Sequence, residues 1–237
     1  MEIVNVDKIF KIVLSLYLLI GIIIILIPAF RVVYLNRLIN KNNFEKFIET
    51  VDKYIQKANS EKRKNLFRFE RLKAMIGLRE WTGIEEVLNS IEIDFSNYSV
   101  STICNMILNL YILDRIKEGR ILLTKIQEQI NQQNHEVKQN IGIRLCMAID
   151  DYLNNNILKS QRELQELLDA EIKRYKAKSY QKNYMANTYF YLGLISKQEN
   201  EISKSKEYFE STIASLYPQL CAIVNKASKI IDEVSKE

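Results

Sequence analysis

The sequence predicts an all-α protein in which pairs of amphipathic helices follow an apolar N-terminal segment. Only two prolines and six glycines occur among the 237 residues, which disfavours a turn-rich β fold. Hydrophobic residues make up 47% of the chain, enough to build a sizeable core. Apolar residues recur at helical spacing along most of the chain and are interrupted by short polar turns. These observations together favour stacked helices over any sheet-based architecture.

The apolar N-terminal segment covers residues 12–30 and contains no charged side chain. As a helix of about 1.5 Å per residue it would be roughly 28 Å long, close to the thickness of a bilayer core. Its Ile, Leu, Val and Phe side chains favour insertion by roughly 4–8 kcal/mol. No small-residue cleavage pattern of a signal peptide follows it. We therefore predict an N-terminal tail and transmembrane anchor over residues 1–30, followed by a helical repeat domain over residues 31–237.

Basic residues flank this segment unequally, and the side with more of them is expected to face the cytoplasm. The two flanks carry Lys8 and Lys11 before the segment, and Arg31, Arg37, Lys41 and Lys46 after it. The large C-terminal part is thus predicted to be cytoplasmic, on a single-pass protein of the cell membrane. The three cysteines are widely spaced within apolar patterns, which agrees with buried thiols in a reducing compartment.

Helical patterns follow one another along the rest of the chain, mostly in pairs. The first continues out of the anchor to residue 40 and pairs with the next. The last, after Pro218, has one apolar and one charged face, as a capping helix of a stack should. Between them, helices are predicted at 44–57, 65–78, 81–91, 100–113, 116–130, 137–153, 157–172, 184–196 and 201–215.

The second helices of the pairs align at regular intervals. Their small or packed entry positions are separated by 37, 35, 41 and 45 residues, at Phe47, Ile84, Gly119, Ser160 and Ser205. An apolar residue stands four positions further on in every case: Val51, Leu88, Leu123, Leu164 and Phe209. A recurring interval of this length is typical of repeat proteins, in which each helix pair buries its apolar faces against its neighbours.

This spacing resembles the tetratricopeptide repeat, a helix pair of about 34 residues. The last copy matches the family's aromatic, Leu-Gly, Phe and Pro positions best, with Tyr189, Leu192, Gly193, Phe209 and Pro218. Ser205 stands where the family usually has alanine, and the other copies are degenerate. The resemblance implies a right-handed α-solenoid of about five helix pairs plus the capping helix, whose concave face binds a peptide or protein. It implies no reaction.

Carried over by position, the resemblance also predicts which residues line that concave face. The family's paired Lys and Asn arrangement for gripping a carboxylate is not reproduced, and a groove of Tyr, Phe and Leu suits an extended or helical apolar peptide. The alternative is that several of these side chains pack between repeats and contact no partner. The predicted partner-binding residues are Phe69, Lys73, Asn105, Tyr111, Tyr152, Asn187, Phe190 and Lys197.

Motifs typical of catalytic, phosphate-binding or metal sites are missing from the sequence. His135 is the one histidine and lies in a polar connection, and no phosphate-binding loop, zinc motif or nucleophile elbow occurs. We therefore predict no catalytic residue, no metal, no cofactor and no small-molecule substrate. The net charge of +5 is too small to indicate nucleic acid, and the basic runs 57–73 and 173–182 contain few aromatics for stacking. These runs are either solvated surface or contacts for anionic lipid headgroups.

The sequence as a whole predicts a membrane-anchored scaffold that binds a protein or peptide partner through the concave face of its solenoid. An alternative is a structural subunit of a membrane protein complex, assembled through the transmembrane helix itself. The two hypotheses differ in which part of the chain makes the contacts.

Overall fold

The computed structural model describes residues 14–18, 30–31, 33–35, 37–38, 43–95, 98–131, 140–172, 179–215 and 222–235. The regular secondary structure of these residues is helical throughout, which confirms the all-α prediction. The chain divides into two compact units, residues 1–74 and residues 75–237.

The helices lie close to the predicted positions. The helix predicted at 65–78 begins four residues earlier, at Glu61, and the one predicted at 184–196 begins five residues earlier, at Ser179, because their first turns are polar and lack the apolar period that marks a helix in sequence. The helices are α1 (Phe44–Lys57), α2 (Glu61–Leu78), α3 (Ile84–Ser90), α4 (Val100–Ile112), α5 (Ile116–Asn131), α6 (Ile141–Leu153), α7 (Ile157–Glu166) with its π-helical continuation Leu167–Ile172, α8 (Ser179–Gln198), α9 (Ile202–Ser215) and α10 (Ala222–Val234).

The first unit has a small apolar core. Phe47 and Val51 lie one turn apart on α1 and are fully buried, so this stripe of the helix faces the core. The rings of Tyr54 and Phe67 pack with their centroids 5.1 Å apart, which joins α1 to α2. Arg71 donates to the Asp52 carboxylate at 2.8 Å across the same two helices. The core cluster consists of Leu35, Leu38, Phe47, Val51, Phe67 and Ala74.

The predicted anchor lies largely outside the described residues. Of residues 12–30, the structure describes 14–18, which are helical, and Phe30. Their large apolar side chains are exposed, with Tyr17 at 73% and Phe30 at 68%. Within the part of the chain that is described, no helix combines the length and the apolar character needed to cross a bilayer.

The second unit is built from consecutive helices that pack on each other in pairs. Helix α4 packs on α5, α6 on α7 and α8 on α9, while α10 packs against α9 and α8. The first members of the three pairs, α4, α6 and α8, also contact one another, and α3 contacts α5. Each pair therefore buries its apolar faces partly against its own partner and partly against the next pair.

The same turn occurs four times in the second unit, in each case after the first helix of a predicted pair. Its central residue has a left-handed backbone with φ between 58° and 63°. The next residue donates its backbone N–H to the carbonyl five positions earlier, at 2.8–2.9 Å, which satisfies a carbonyl at the helix end. These turns repeat the predicted intervals of 35, 41 and 45 residues, and their central residues are Arg79, Asp114, Asn155 and Asn200.

Two glycines bring paired helices into close contact. A Cβ atom on Gly119 would lie 2.7 Å from Cδ1 of Tyr111, and one on Gly193 would lie 2.9 Å from Cε1 of Phe209. Both distances are shorter than van der Waals contact, so the aromatic ring occupies the space of the missing side chain. Ser205 adds a hydrogen bond from its Oγ to the Gly193 carbonyl at 2.9 Å. A glycine and an aromatic ring thus form the seam of the pairs α4–α5 and α8–α9.

Candidate functional site

A small crevice in the second unit is lined by four separate elements. Its volume is 170 Å³, room for about five water molecules at roughly 30 Å³ each. That volume suits a single side chain and is smaller than the roughly 300–1,000 Å³ of pockets for drug-sized ligands. The lining comes from the end of α2 and its turn (Ile76, Gly77, Arg79), the end of α4 (Asn109, Ile112, Leu113), α8 (Asn183, Asn187) and the start of α10 (Ala222, Ile223).

Three asparagines form a directed chain of hydrogen bonds beside this crevice. Asn183 donates from Nδ2 to Oδ1 of Asn105 at 2.7 Å, which joins α8 to α4. Asn187 donates from Nδ2 to the Asn183 carbonyl at 2.8 Å and to Asn183 Oδ1 at 3.1 Å. Because both partners of this nitrogen are acceptors, the orientation of the Asn187 amide is fixed by its neighbours.

This series of hydrogen bonds ends at Oδ1 of Asn187, an acceptor that has no partner among the described residues. The Oδ1 atom of Asn187 is inaccessible to solvent, and only 2% of the residue is exposed. A buried polar atom without a hydrogen bond costs about 1–3 kcal/mol, and such atoms are rare in native proteins. Asn187, one of the residues that line the crevice, therefore holds a preorganised acceptor whose hydrogen-bonding capacity is unused.

Arg79 contributes the positive charge of the crevice and has an unusual backbone. It occupies the left-handed position of its turn, where the three equivalent turns have Asp114, Asn155 and Asn200. Asparagine and aspartate tolerate this conformation because their short side chains bond locally, whereas other residues adopt it at a cost of about 1–2 kcal/mol. The Arg79 side chain is exposed and lines the crevice. Strain of this kind tends to persist at functional positions.

The structure brings two of the predicted partner-binding residues together. Asn105 and Asn187 both bond to Asn183, so they belong to one network although they lie on different helices. Three aromatic residues of the prediction are buried instead: Phe69 is 0% exposed, Tyr111 2% and Phe190 4%. Aromatic side chains at helical spacing pack readily into a core, which was the alternative considered for this set. Their predicted contact with a partner stays a prediction.

The remaining predicted residues are half-buried and have partners within the chain. Lys73 pairs with Glu70 at 2.8 Å, in the first unit. Lys197 lies 3.7 Å from the carboxylate of Glu233 on α10. Tyr152 accepts a hydrogen bond from Gln198 at 3.1 Å, and burial raises the pKa of its hydroxyl.

Tyr111 belongs to a polar network that ties α4, α5 and α6 together. Its hydroxyl donates to Oδ1 of Asp150 at 3.3 Å, and Arg120 donates from Nε to the same oxygen at 2.7 Å. Burial raises the pKa of Tyr111, and the negative charge of Asp150 adds to the rise. Arg120 also donates to Asn154 at 2.6 Å. With a paired carboxylate and a neutral phenol, this network holds helices in place rather than exposing a reactive group.

Two larger depressions lie on the second helices of the pairs. One, of 710 Å³, follows α5, and the other, of 780 Å³, involves α7 and α9. Two of the cations in the first are already paired, since Lys117 bonds to Glu85 at 2.9 Å and Arg120 to Asp150. We therefore regard the asparagine crevice as the candidate site, because its wall contains a buried acceptor without a partner.

Sequence reasoning missed Arg79, Asn109 and Asn183 in this site. One signal was present, because asparagines lie four residues apart on α4 (Asn105 and Asn109) and again on α8 (Asn183 and Asn187). On a helix such pairs share a face. The pairing of these two faces across 78 residues depends on tertiary packing and is not visible in a local pattern.

No group of histidine, cysteine or acidic side chains capable of holding a metal ion occurs within the described ranges. His135 and Cys221 lie outside those ranges. Cys104 and Cys146 are buried free thiols, as predicted, and burial raises the pKa of Cys146 well above its usual value.

Comparisons of the chain with protein-family models, with curated proteins and with solved structures found no match.

Proposed function

We propose that this chain is a membrane-anchored helical scaffold that binds a protein or peptide partner at the cytoplasmic membrane face. In this proposal residues 12–30 span the bilayer, and the helix pairs stack as a tetratricopeptide-like solenoid. The four repeated turns and the contacts among α4, α6 and α8 support the stacking. The exposed apolar side chains at residues 14–18 support the anchor, since such a patch favours a lipid environment over water.

The observation that carries the binding function is the unpaired acceptor in the asparagine crevice. Asn187 is held by hydrogen bonds to Asn183, so its Oδ1 cannot turn away to find another donor. A partner that supplies a donor would recover part of the cost of that buried atom on binding. Asn109 and Arg79 are exposed at the same crevice, so the crevice that Asn187 lines opens to the surface. The proposed function is binding without a chemical step.

A blocking substitution at the crevice tests this proposal. Asn109→Arg places a long charged side chain at the crevice on an exposed position of α4, so the fold should tolerate it. Asn89→Arg is the matched control, because Asn89 is also exposed and lies on α3 outside the crevice. Full-length proteins are extracted from native membranes with mild detergent, and the proteins recovered with each are compared by quantitative mass spectrometry.

We expect at least one protein to be recovered with the wild type and with Asn89→Arg, and to be depleted about tenfold or more with Asn109→Arg. A depletion of this size corresponds to losing roughly 1.4 kcal/mol of binding free energy. Equal recovery of the same proteins with all three chains would contradict the proposal. That result would favour the alternative, a subunit assembled through its transmembrane helix.

The membrane part of the proposal has a separate test. Sealed inside-out vesicles expose the cytoplasmic face to added protease. Cleavage of the part after residue 31 in such vesicles, with protection in right-side-out vesicles, is the expected result. Protection in the inside-out vesicles would contradict the cytoplasmic orientation of the helical part. Recovery of the chain in the soluble fraction would contradict the transmembrane anchor.

A further inference from the structure

The hydrogen-bonding groups of the asparagine crevice constrain what chemical group it can hold. Asn187 Oδ1 is a buried acceptor without a partner, so the group must carry an N–H or O–H donor. Arg79 is an exposed residue of the same crevice lining, and its guanidinium has donors and no acceptor, so a group that bonds to it must also carry an acceptor. A neighbouring guanidinium further disfavours any ligand with a positive charge.

Common side chains can be compared with these two requirements. A carboxylate would satisfy Arg79 but would bring negative charge to Asn187 Oδ1, which is itself an acceptor. A lysine ammonium would satisfy Asn187 but would be repelled by Arg79. An apolar side chain would leave both groups unpaired, and burying them in that state costs free energy. A carboxamide has an NH₂ donor and a carbonyl acceptor on one carbon, so it can satisfy both.

We infer that the crevice recognises the carboxamide side chain of a Gln or Asn residue in the partner. This inference rests on the proposed binding function. The carboxamide NH₂ would donate to Asn187 Oδ1, while its carbonyl would accept from Arg79 or from the exposed amide of Asn109. The volume of 170 Å³ and the lining by four elements suit one inserted side chain better than a continuous stretch of backbone. Among a carboxylate, an ammonium, an apolar group and a carboxamide, only the carboxamide leaves neither Asn187 Oδ1 nor Arg79 unpaired.

The neighbouring network prepares Asn187 for this role. Its amide nitrogen is engaged by two acceptors of Asn183, so Oδ1 keeps a single orientation. Asn183 is in turn held by Asn105 on α4 at 2.7 Å. An acceptor fixed in this way loses little side-chain entropy when it binds.

A peptide library with one fixed position tests the inference. The probes are acetylated nonapeptides that end in a dimethylamide, so that no primary carboxamide is present at the terminus, with randomised apolar and aromatic flanks and Gln, Asn, Glu, Lys or Leu at the centre. Binding to the full-length chain in detergent micelles is followed by fluorescence anisotropy. We expect Gln-centred or Asn-centred pools to bind about tenfold more tightly than the Glu, Lys and Leu pools, the ratio that one satisfied pair of hydrogen bonds supplies.

Two variants assign that preference to the crevice. Arg79→Asn puts the residue of an equivalent turn at the left-handed position, so it should fold at least as well as the wild type. It should weaken binding of the Gln pool several-fold and reduce the difference in affinity between the Gln pool and the Lys pool. Asn187→Leu keeps a similar size and removes the acceptor, so it should bring the Gln pool to within about twofold of the Leu pool.

Other outcomes overturn the inference. The Lys or Glu pool binding most tightly would assign the crevice to a charged group. Equal binding of all pools, or binding of none, would show that no side chain is selected there. Unchanged selectivity in Asn187→Leu would show that Asn187 Oδ1 does not select the side chain. The proposed function has its own readout, because depletion by Asn109→Arg without any Gln preference would keep the partner-binding function and remove only the carboxamide.

Discussion

Two faces of helix α8 differ in how completely their polar groups are satisfied. On one face, Gly193 packs against the ring of Phe209, and its carbonyl accepts a hydrogen bond from Ser205. On the other face, Asn183 and Asn187 bond to each other, and one buried oxygen is left without a partner among the described residues. The first face has its contacts made and stabilises the fold. The second retains an unused acceptor, and it is the face at which we propose that a partner binds.

Removing the ring from the packed face should have the largest effect on stability. Phe209 is fully buried, and Phe209→Ala should lower the free energy of unfolding by about 3–5 kcal/mol through lost burial and the cavity left behind. Denaturant unfolding of the full-length chain in micelles, followed by circular dichroism, measures the change. Leu158→Ala is the control, because Leu158 is 80% exposed and its truncation should change stability by less than about 0.5 kcal/mol. Similar losses of unfolding free energy in Phe209→Ala and Leu158→Ala would contradict the stabilising role of the packed face.

Adding a side chain at Gly193 should lower the free energy of unfolding by less than removing the ring of Phe209. Gly193→Val places a side chain where Phe209 already lies, at a Cβ distance of 2.9 Å, and should cost about 1–3 kcal/mol. Combining it with Phe209→Leu should restore part of that loss, since the smaller side chain makes room. Additive losses in the double variant would show that the two residues do not share the space.

Alkaline pH should also weaken the packing of α8 against α6, where the ring centroids of Tyr191 and Tyr152 lie 5.4 Å apart. Burial raises the pKa of Tyr191, so the folded chain keeps that proton at a pH where the unfolded chain loses it. Stability from this group is complete below the unfolded pKa of about 10 and falls above it, by about 1.4 kcal/mol per pH unit. Tyr191→Phe should therefore flatten the decline of unfolding free energy between about pH 10 and 11. The same slope in both chains would contradict the assignment.

The unsatisfied face should be the least sensitive to substitution. Asn187→Leu loses two hydrogen bonds from Nδ2, but it also removes the buried acceptor and adds apolar burial. These contributions oppose each other, so the free energy of unfolding should change by less than about 1 kcal/mol. Denaturant unfolding alongside Gly193→Val gives a direct contrast. A loss larger than that of Gly193→Val would show that the asparagine network serves stability first.

Local patterns in the sequence predicted the helices well, because amphipathic spacing is set by the burial of each helix. The spacing of the pairs was visible too, and the four repeated turns follow the same intervals. The left-handed residue at their centre was not predicted, since Arg79 gives no local turn signal of the kind that Asn155 or Asn200 gives.

The candidate site was predicted less completely than the fold. Asn105 and Asn187 were identified, whereas Asn183, which connects them, was not. The aromatic residues predicted beside them, such as Tyr111, are buried. Helical spacing alone does not distinguish a side chain that lines a groove from one that packs between helices. That distinction depends on how closely α4 and α8 approach, which is a property of the tertiary structure.

Site-specific photo-crosslinking tests most directly whether the crevice binds the partner. A photoreactive side chain is introduced at position 109, at the crevice, or at position 158, which is exposed on α7 outside it. After irradiation of native membranes, crosslinked polypeptides are identified by mass spectrometry. Our account predicts a defined partner crosslinked from position 109 and not from position 158. Equal crosslinking from both positions, or none from position 109, would contradict it.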